Sequence, residues 1–529
     1  MGLWQYAAPK EHSAPPMSTH SRTIAKNAAV VGLATLLSRG LGFVRDLVTA
    51  FALGAGWMAD AFFVAFRLPN LLRSLFAEGS LTMAFIPVFT RLREEHGEEA
   101  AFALARSVQM WLFVVVGGIC LLAVLLARPL SGLIAPGFLD SPEQFDLTVR
   151  LVRICFPYIL LVSAMALCMG ILNSMGHFLT PALGPCALNV ALISAALIGY
   201  YCGGNVAVAL AWGVLAAGVL QWTMQQPAMY SRGFRWRGEW SWRHPGVGRV
   251  ARLMLPTVIG AAVYQINILL STLLASFLPT GSVSYLYYAD RLVQFPLGVF
   301  GVAVSTAALP SLARLAAAGM NEDFTEALDT SLGLTTFISL PSAAGLIALG
   351  HPIIELLFRR GAFTGHDVTA TVAALVAYGA GLPAVALVRP YVSAFYAREN
   401  TRIPMITAFV SMLCNVTLGY GLMQHYAHVG LAVAVSAAGY LNVIILALLM
   451  RRKTGRGPRI GRTVVCSLLL SLGVAGACLG SIHLGLGKWA LALIPVWAVL
   501  YIVSAWALKL PEAHLFVSLL GSRLRRRRQ

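Results

Sequence analysis

Charge is scarce in this sequence. Asp, Glu, Lys and Arg supply 11% of its 529 residues, against a hydrophobic share of 58%; soluble globular chains carry about 25% charged residues. A chain this long and this apolar cannot hide its surface in one aqueous core and has to use lipid as solvent. Acidic side chains are scarcest, 21 in all, and no pair of carboxylates stands where a membrane-surface enzyme would need an acid and a base. Ten-residue blocks of period-two alternation are missing, which argues against a barrel. The phosphate loop G-x-x-x-x-G-K-[ST] is absent, so no ATPase is built in, and so is H-E-x-x-H. No connection is long enough for a soluble catalytic domain, and the chain reads as a non-enzyme. Its eight cysteines fall nearly all inside apolar stretches with no C-x-x-C, the pattern of inert small core residues. No metal site, redox site or cofactor is expected. A cleavable signal peptide is also lacking: residues 1–22 are polar, contain Pro15 and Pro16, and are expected to be a disordered cytoplasmic extension.

What is present is apolar length. Windows of about 20 apolar residues recur from end to end. They predict an all-α integral membrane fold with fourteen spans, roughly 25–54, 57–90, 105–128, 147–175, 178–202, 205–229, 249–279, 281–315, 326–350, 368–397, 401–424, 428–450, 463–484 and 488–509. Net charge is +18 and the pI about 9.9. The basic residues cluster between spans, which points away from nucleic acid and toward orientation by the positive-inside rule, aided by anionic membrane lipids. One set of connections carries Arg91 and Arg93, then Arg232 to Arg243, then Arg398 and Arg402, then Arg451 to Arg459, and the tail ends in Arg525 to Arg528. The alternate connections are short and nearly uncharged, Arg359 and Arg360 excepted. Both termini are therefore expected in the cytoplasm.

The chain also repeats. Pro87 and Pro310 each open P-x-x-x-R-L, 310 − 87 = 223 residues apart, and Pro181 and Pro404 keep the same offset, 404 − 181 = 223. "LIAPGF" at 133–138 matches "LFRRGAF" at 357–363, and "FRLPNLL" at 66–72 matches "DRLVQFP" at 290–296. A period of six spans predicts two lobes of like orientation about a pseudo-two-fold axis along the membrane normal. The divisions expected are 23–230 (N-lobe), 231–248 (basic cytoplasmic linker), 249–450 (C-lobe), 451–509 (two further helices) and 510–529 (basic cytoplasmic tail).

Charges inside the spans are the informative residues. Span 1 holds Arg39, Arg45 and Asp46; span 2 holds Asp60, Arg67, Arg73 and Glu78; span 8 opens with Asp290 and Arg291. An arginine facing lipid near the midplane costs about 2.5–3.5 kcal/mol, so these side chains must face protein or a water-filled cavity. At 100° per residue Arg39 shares a helix face with Asp46, and Asp60 shares one with Arg67. In span 8, Arg291, Gln294, Gly298, Gly301 and Ser305 form a polar or small stripe. Two readings follow. The first is a set of ion pairs, Arg39 with Asp46 and Arg67 with Asp60, that lock helices. The second is a cationic cavity, because arginine exceeds nearby acid and guanidinium forks suit phosphate oxygens. The arginine surplus favours the second, with Arg67 the residue best suited to a structural pair.

At "SRGLGFVRD", "GAGWMADAFFVAFRLPNLLRSLFAEGSLTMAFIPVF", "FPYILLVSAMALCMGILNSMGHFLTPALGP" and "GSVSYLYYADRLVQFPLGVFGVA" the chain closely resembles the MurJ (MviN) family, lipid II flippases of the multidrug/oligosaccharidyl-lipid/polysaccharide exporter superfamily. The resemblance runs from about residue 22 to the last span. It implies two six-helix lobes around a cationic cavity, with a groove beside the last two helices for a polyprenyl tail. It implies a bacterial inner-membrane protein that carries lipid II outward for peptidoglycan synthesis, working as a monomer alongside the cell-wall synthesis machinery. The family's cavity arginines fall on Arg39, Arg45, Arg73 and Arg291, its acidic positions on Asp46, Asp60 and Glu78, and a basic position of span 10 on Arg389. The chain departs from the family where many members read "APGFYS": here 392–397 read "VSAFYA", without the Pro-Gly hinge, and Ser74 stands where an arginine pair would continue. The rival readings are a flippase for another polyprenyl-linked glycan such as O-antigen, a drug/cation antiporter, whose cavity should be acidic, and a membrane-embedded enzyme acting on polyprenyl phosphates.

Overall fold

The structure is a computed structural model and describes residues 19–76 and 80–516, which form helices and connecting turns with no strand among them. The first half of the chain runs through α1 (Thr19–Leu53), α2 (Trp57–Phe76), α3 (Ser80–His96), α4 (Glu98–Leu125), α5 (Ala127–Ile134), α6 (Pro142–Cys155), α7 (Tyr158–Ser174), α8 (Leu179–Tyr201), α9 (Val206–Thr223) and α10 (Gln226–Tyr230). The second half runs through α11 (Pro245–Ser276), α12 (Ser282–Pro296), α13 (Val302–Ala317), α14 (Asn321–Ala348), α15 (Gly350–Phe358), α16 (Gly365–Ala397), α17 (Arg402–Thr454), α18 (Gly461–Ser481) and α19 (Ile494–Ala507). A last short helix covers 511–516.

Among the described residues nine helical stretches are long and apolar enough to cross a membrane. The polypeptide is a multi-pass membrane protein. The charged helix α1 and the interrupted pairs α2–α3 and α12–α13 are not among the nine. α17 spans 53 residues, which as one straight helix would reach about 80 Å against a hydrocarbon core of about 30 Å. It does not run straight. Ala427 takes a non-helical conformation with φ 46°, and the Ser411 hydroxyl donates to the Ala438 carbonyl at 2.8 Å. α17 is thus two helical arms folded back on each other about Ala427.

Several boundaries differ from expectation for physical reasons. α1 begins at Thr19, inside the 1–22 segment read as an extension; residues 1–18 and 517–529 lie outside the described residues. The span expected at 57–90 is two helices, α2 and α3, and Glu78 between them also lies outside the described residues. The span expected at 281–315 is α12, a π-helical segment Leu297–Gly301, and α13. Pro296 has no amide hydrogen to continue the ladder, and a π turn is a common response to such a break. α16 runs unbroken through 392–397, as the missing Pro-Gly hinge implies. The short helices α5 and α15 were not expected, being too brief to show a 3.6-residue period.

Caps and turns set where the helices meet. Asn205 accepts from the Val208 amide to open α9, and Thr364 with Asp367 forms a capping box on α16. Gly54 (φ +68°) and Gly281 (φ +94°) turn the chain into α2 and α12, and a Cβ at Gly281 would strike the Ala55 carbonyl and Tyr285 at 2.6 Å. One hydrophobic core runs through both halves, from Phe62 and Phe85 to Tyr288 and Leu375. Phe337, Tyr501 and Ala505 dock α19 against α14. On their outer faces α4 exposes Phe113, Val114, Leu121 and Leu122, and α19 exposes Val496, Val499 and Val503, an apolar belt suited to lipid.

Candidate functional site

Helices α1, α2, α12 and α16 bring the charged positions together where the two halves of the chain meet. Asp46 on α1 is the hub. Its Oδ1 takes Nε and Nη2 of Arg45 at 3.0 and 2.7 Å and the Tyr287 hydroxyl at 3.2 Å. Its Oδ2 faces Nε of Arg291, on α12, at 3.4 Å. The Arg291 guanidinium lies 4.7 Å over the Tyr287 ring and donates to its hydroxyl at 3.0 Å. Tyr287 in turn stacks on Phe63 of α2, centroids 3.9 Å apart. Arg45 reaches back to Asn189 of α8 at 3.1 Å, whose amide holds the Ser38 carbonyl at 3.0 Å. One carboxylate thus serves two guanidinium groups, and the knot carries a net positive charge.

Arg39 and Arg389 have no carboxylate partner among the described residues. Both rest on the π-helical segment. A Cβ at Gly298 would collide with the Arg39 guanidinium, and one at Gly301 would lie 3.6 Å from Cδ of Arg389. The stripe of small residues read from the sequence is therefore the floor on which two arginines, one from each half, lie. A Cβ at position 298 would displace Arg39, whereas one at 301 would only touch Arg389.

The two ion pairs weighed in the sequence do not form. Arg39 lies about 10 Å along the helix axis from Asp46 at 1.5 Å per residue, and Asp46 pairs with Arg45 and Arg291. Asp60 does not hold Arg67. Its buried carboxylate accepts the amides of Gly281 and Ser284 at 2.6 and 2.8 Å and the Ser284 hydroxyl at 2.6 Å, capping α12 from the other half. Arg67 sits within Coulombic reach of Asp290, and Asp290 also accepts from Gln294 at 3.4 Å. Arg73 donates to Asn70 at 2.9 and 3.1 Å. Ser74 accepts a hydrogen bond from Gln265 of α11, so the departure from an arginine pair becomes a neutral tie between halves.

Sequence reasoning missed Tyr287, Asn189 and Asn70, neutral residues whose polar atoms steer the arginines. It also missed Arg106, fully buried on α4, which donates to the carbonyls of Arg235, Arg237 and Glu239 at 3.0–3.2 Å and pairs with Glu99. That side chain straps the 231–248 connection to the first half. In the α7–α8 turn, His177 meets Arg232 at 2.9 Å, and burial together with the Arg232 charge lowers its pKa, favouring the neutral ring. Among the described residues no group of three His, Cys, Asp or Glu side chains could hold a metal ion.

The chain is similar to known proteins over most of its length. The family model described as "Lipid II flippase MurJ" matches residues 49–500. The "Probable lipid II flippase MurJ" of Rhizobium meliloti (strain 1021) is 40% identical over 464 residues, covering 85% of this chain and 86% of that one. Its Vibrio cholerae serotype O1 counterpart is 37% identical over 438 residues, covering 81% and 83%. Among solved structures, "Lipid II flippase MurJ, inward closed conformation" superposes with a TM-score of 0.78 at 27% identity, over 91% of this chain and 99% of that one. An inward-facing multidrug resistance MATE family transporter of the MOP superfamily reaches 0.66 at 15% identity, over 79% and 94%, a likeness of fold alone. With most of its length matched by the family model and by relatives of this identity, the chain belongs to the MurJ lipid II flippase family.

Proposed function

We propose that this protein carries lipid II, the undecaprenyl-pyrophosphate-linked peptidoglycan precursor, from the cytoplasmic to the periplasmic leaflet of the bacterial inner membrane by alternating access. The observation that carries the reading is the pair Arg39 and Arg389, free of carboxylate partners among the described residues and lying on Gly298 and Gly301. A doubly charged pyrophosphate is the group such guanidinium forks fit, and glycine leaves the room it needs. Arg45, Arg291 and Arg73 supply further positive charge, and Asp46 holds two of them in place. The glycan and pyrophosphate would cross inside while the polyprenyl tail stays in lipid beside α18 and α19.

The finer architecture we propose is fourteen spans in two six-helix lobes about a pseudo-two-fold axis, plus two C-terminal spans, in a monomer with both termini cytoplasmic. Supporting this reading, positions related by the repeat touch one another, as expected near such an axis. Asp60 bonds Ser284, 284 − 60 = 224, and Phe63 stacks on Tyr287, 287 − 63 = 224. Away from the axis the contacts are reciprocal. The Gly137 amide donates to Ser276 Oγ at the end of α11 at 3.2 Å, and the Ala362 amide donates to the Phe51 carbonyl at the end of α1 at 2.9 Å. All these contacts lie at the end of the molecule that bears the Gly54 and Gly281 turns. That end is the periplasmic one in the proposed orientation, so the halves are closed outward.

The test is depletion of the native protein in its bacterium with an assay of which leaflet holds lipid II, complemented by Arg39→Ala and Arg389→Ala. Lipid II retained in the inner leaflet supports the reading. Normal export by both variants would leave the arginines as helix locks. Retention of a different polyprenyl-linked glycan would transfer the mechanism to the rival cargo.

A further inference from the structure

At the end of the molecule that bears the Gly54 and Gly281 turns, two related loops latch each half onto the other. Gly137 and Gly361 are repeat-related, 361 − 137 = 224. A Cβ at Gly137 would collide with the Ser276 carbonyl at the end of α11, and one at Gly361 with the Phe51 carbonyl at the end of α1. Buried rings fix the second loop on both sides: Phe358 and Phe363 pack on Tyr288 with centroids 5.4 and 5.6 Å away.

The loops differ in charge. The two residues before Gly137 are Ala135 and Pro136, whereas the two before Gly361 are Arg359 and Arg360. The uncharged loop makes the same close backbone approach, so the latch does not need the arginines. Orientation does not explain them either, because positive charge on an outer connection opposes the positive-inside rule. Both are exposed. Arg359 pairs with Glu355 one turn back at 2.6 Å. Arg360 donates to the Leu356 carbonyl at 3.0 Å and has no carboxylate partner among the described residues. Beside the first loop, Asp140 and Glu143 are exposed, and Arg128 is paired with Asp146 at 2.9 Å. An anion leaving between the halves at this end meets an acidic rim on one side and a basic rim on the other.

The basic rim also lies between the seam and lipid. The Ala362 amide is bonded to Phe51 at the seam. α15, which leads into the loop, packs through Ile353 on a cluster of Cys478, Ala490, Leu491 and Trp497 that joins it to α18 and α19, and α19 carries the apolar outer face. Resting on the flippase reading above, we propose that Arg359 and Arg360 form an outward receiving site for the pyrophosphate of the lipid-linked cargo, taking over the anion as Arg39 and Arg389 release it. An anion held by guanidinium forks leaves faster when a second cationic site draws it along its way out, and the acidic rim opposite steers it to this side.

The experiment measures lipid II export by the full-length protein in its bacterium, and lipid II movement in vesicles of phosphatidylcholine with and without phosphatidylglycerol. Arg359→Ala with Arg360→Ala should slow export about tenfold, as loss of charge-assisted contacts to a phosphate implies. Arg359→Lys with Arg360→Lys should keep most of it, because an exposed site acts mainly through its charge. The melting temperature in detergent and lipid II binding from the cytoplasmic side should be those of wild type, since the latch and the central arginines are intact. Normal export by the alanine pair beside an active wild type would overturn the proposal and leave the flippase reading standing, whereas a wild type that moves no lipid II would refute that reading itself. A defect confined to vesicles containing phosphatidylglycerol would assign the arginines to a phospholipid headgroup and overturn the proposal. So would a defect that comes with a lowered melting temperature, since the arginines would then belong to the latch.

Discussion

Arg39 and Arg45 lie on the same helix and meet different surroundings. Arg45 is half-buried, bonded to Asp46 and Asn189, and its removal would leave a buried carboxylate short of one partner. Arg39 is exposed and lies on a glycine. Arg39→Ala should therefore leave the melting temperature of the purified protein unchanged, within the ~0.5 kcal/mol usual for surface substitutions, while lipid II export in cells stops. Arg45→Ala should stop export and also lower stability by roughly 1–3 kcal/mol, the cost of an unmet buried polar group. Arg39→Lys keeps the charge but loses the fork, and partial export is expected. Gly298→Ala tests the same place from below. Its methyl group would take the space of the guanidinium, so export should fall although alanine favours the helix. Equal melting curves for the Arg39 and Arg45 variants would contradict this division of roles. Most of these positions were legible from the sequence because charge inside an apolar span is costly and stands out. Their partners were not. Helical periodicity places Arg39 and Asp46 on one face, but Asp46 is satisfied by its sequence neighbour and by Arg291 from the other half, and no period within one helix reports a contact between halves.

At the scale of the elements, α12 owes its start to α2. Asp60 receives two backbone amides and one hydroxyl from Gly281 and Ser284, the work of an N-cap done from another helix. Asp60→Ala should cost about 1–2 kcal/mol by loss of that cap, and Asp60→Asn, which keeps an acceptor, should cost less. Thermal unfolding in detergent reads both, and an alanine variant as stable as wild type would show that the cap does not hold the halves together. Asp60 stood out in the sequence as a charge that had to be buried, but its partner was misassigned, because a carboxylate seven residues from an arginine looks like a salt bridge. The break at Leu297–Gly301 was equally hidden. Pro296 was visible, but its effect on the ladder depends on whether neighbouring helices fill the gap. Arg106 escaped notice for the opposite reason: it stands in the first turns of a span, where an arginine is ordinary, and only the fold shows three carbonyls of the linker gathered on it.

The whole molecule poses a question of motion. If both termini are cytoplasmic, the turn 202–205 faces the periplasm. Cys202 there is exposed, so an impermeant maleimide added to intact cells with a permeable outer membrane should label it, whereas a cysteine introduced at Trp240 should stay unlabelled until the cells are broken. The reverse pattern would invert the topology. Alternating access then requires the contacts at the Gly54 and Gly281 end to part, because they close the path on the periplasmic side. Phe63 and Tyr287 are the place to test this. They come from opposite halves and stack at 3.9 Å, and neither is charged, so cysteines there would leave Arg39 and Arg389 untouched. In a background with the native cysteines replaced, a short reducible bifunctional thiol reagent should join residues 63 and 287. Joined protein should still insert and should still bind lipid II from the cytoplasmic side, since that side is open while the outer end is shut. Export should stop, and reduction of the link should restore it. The comparison is made within the double variant, before linking and after reduction, because Tyr287→Cys by itself removes the hydroxyl that steers Asp46 and Arg291. Continued export by the joined protein would mean that the halves need not separate at this end, and the rocking of one half against the other would have to be abandoned for a path along their outer surface.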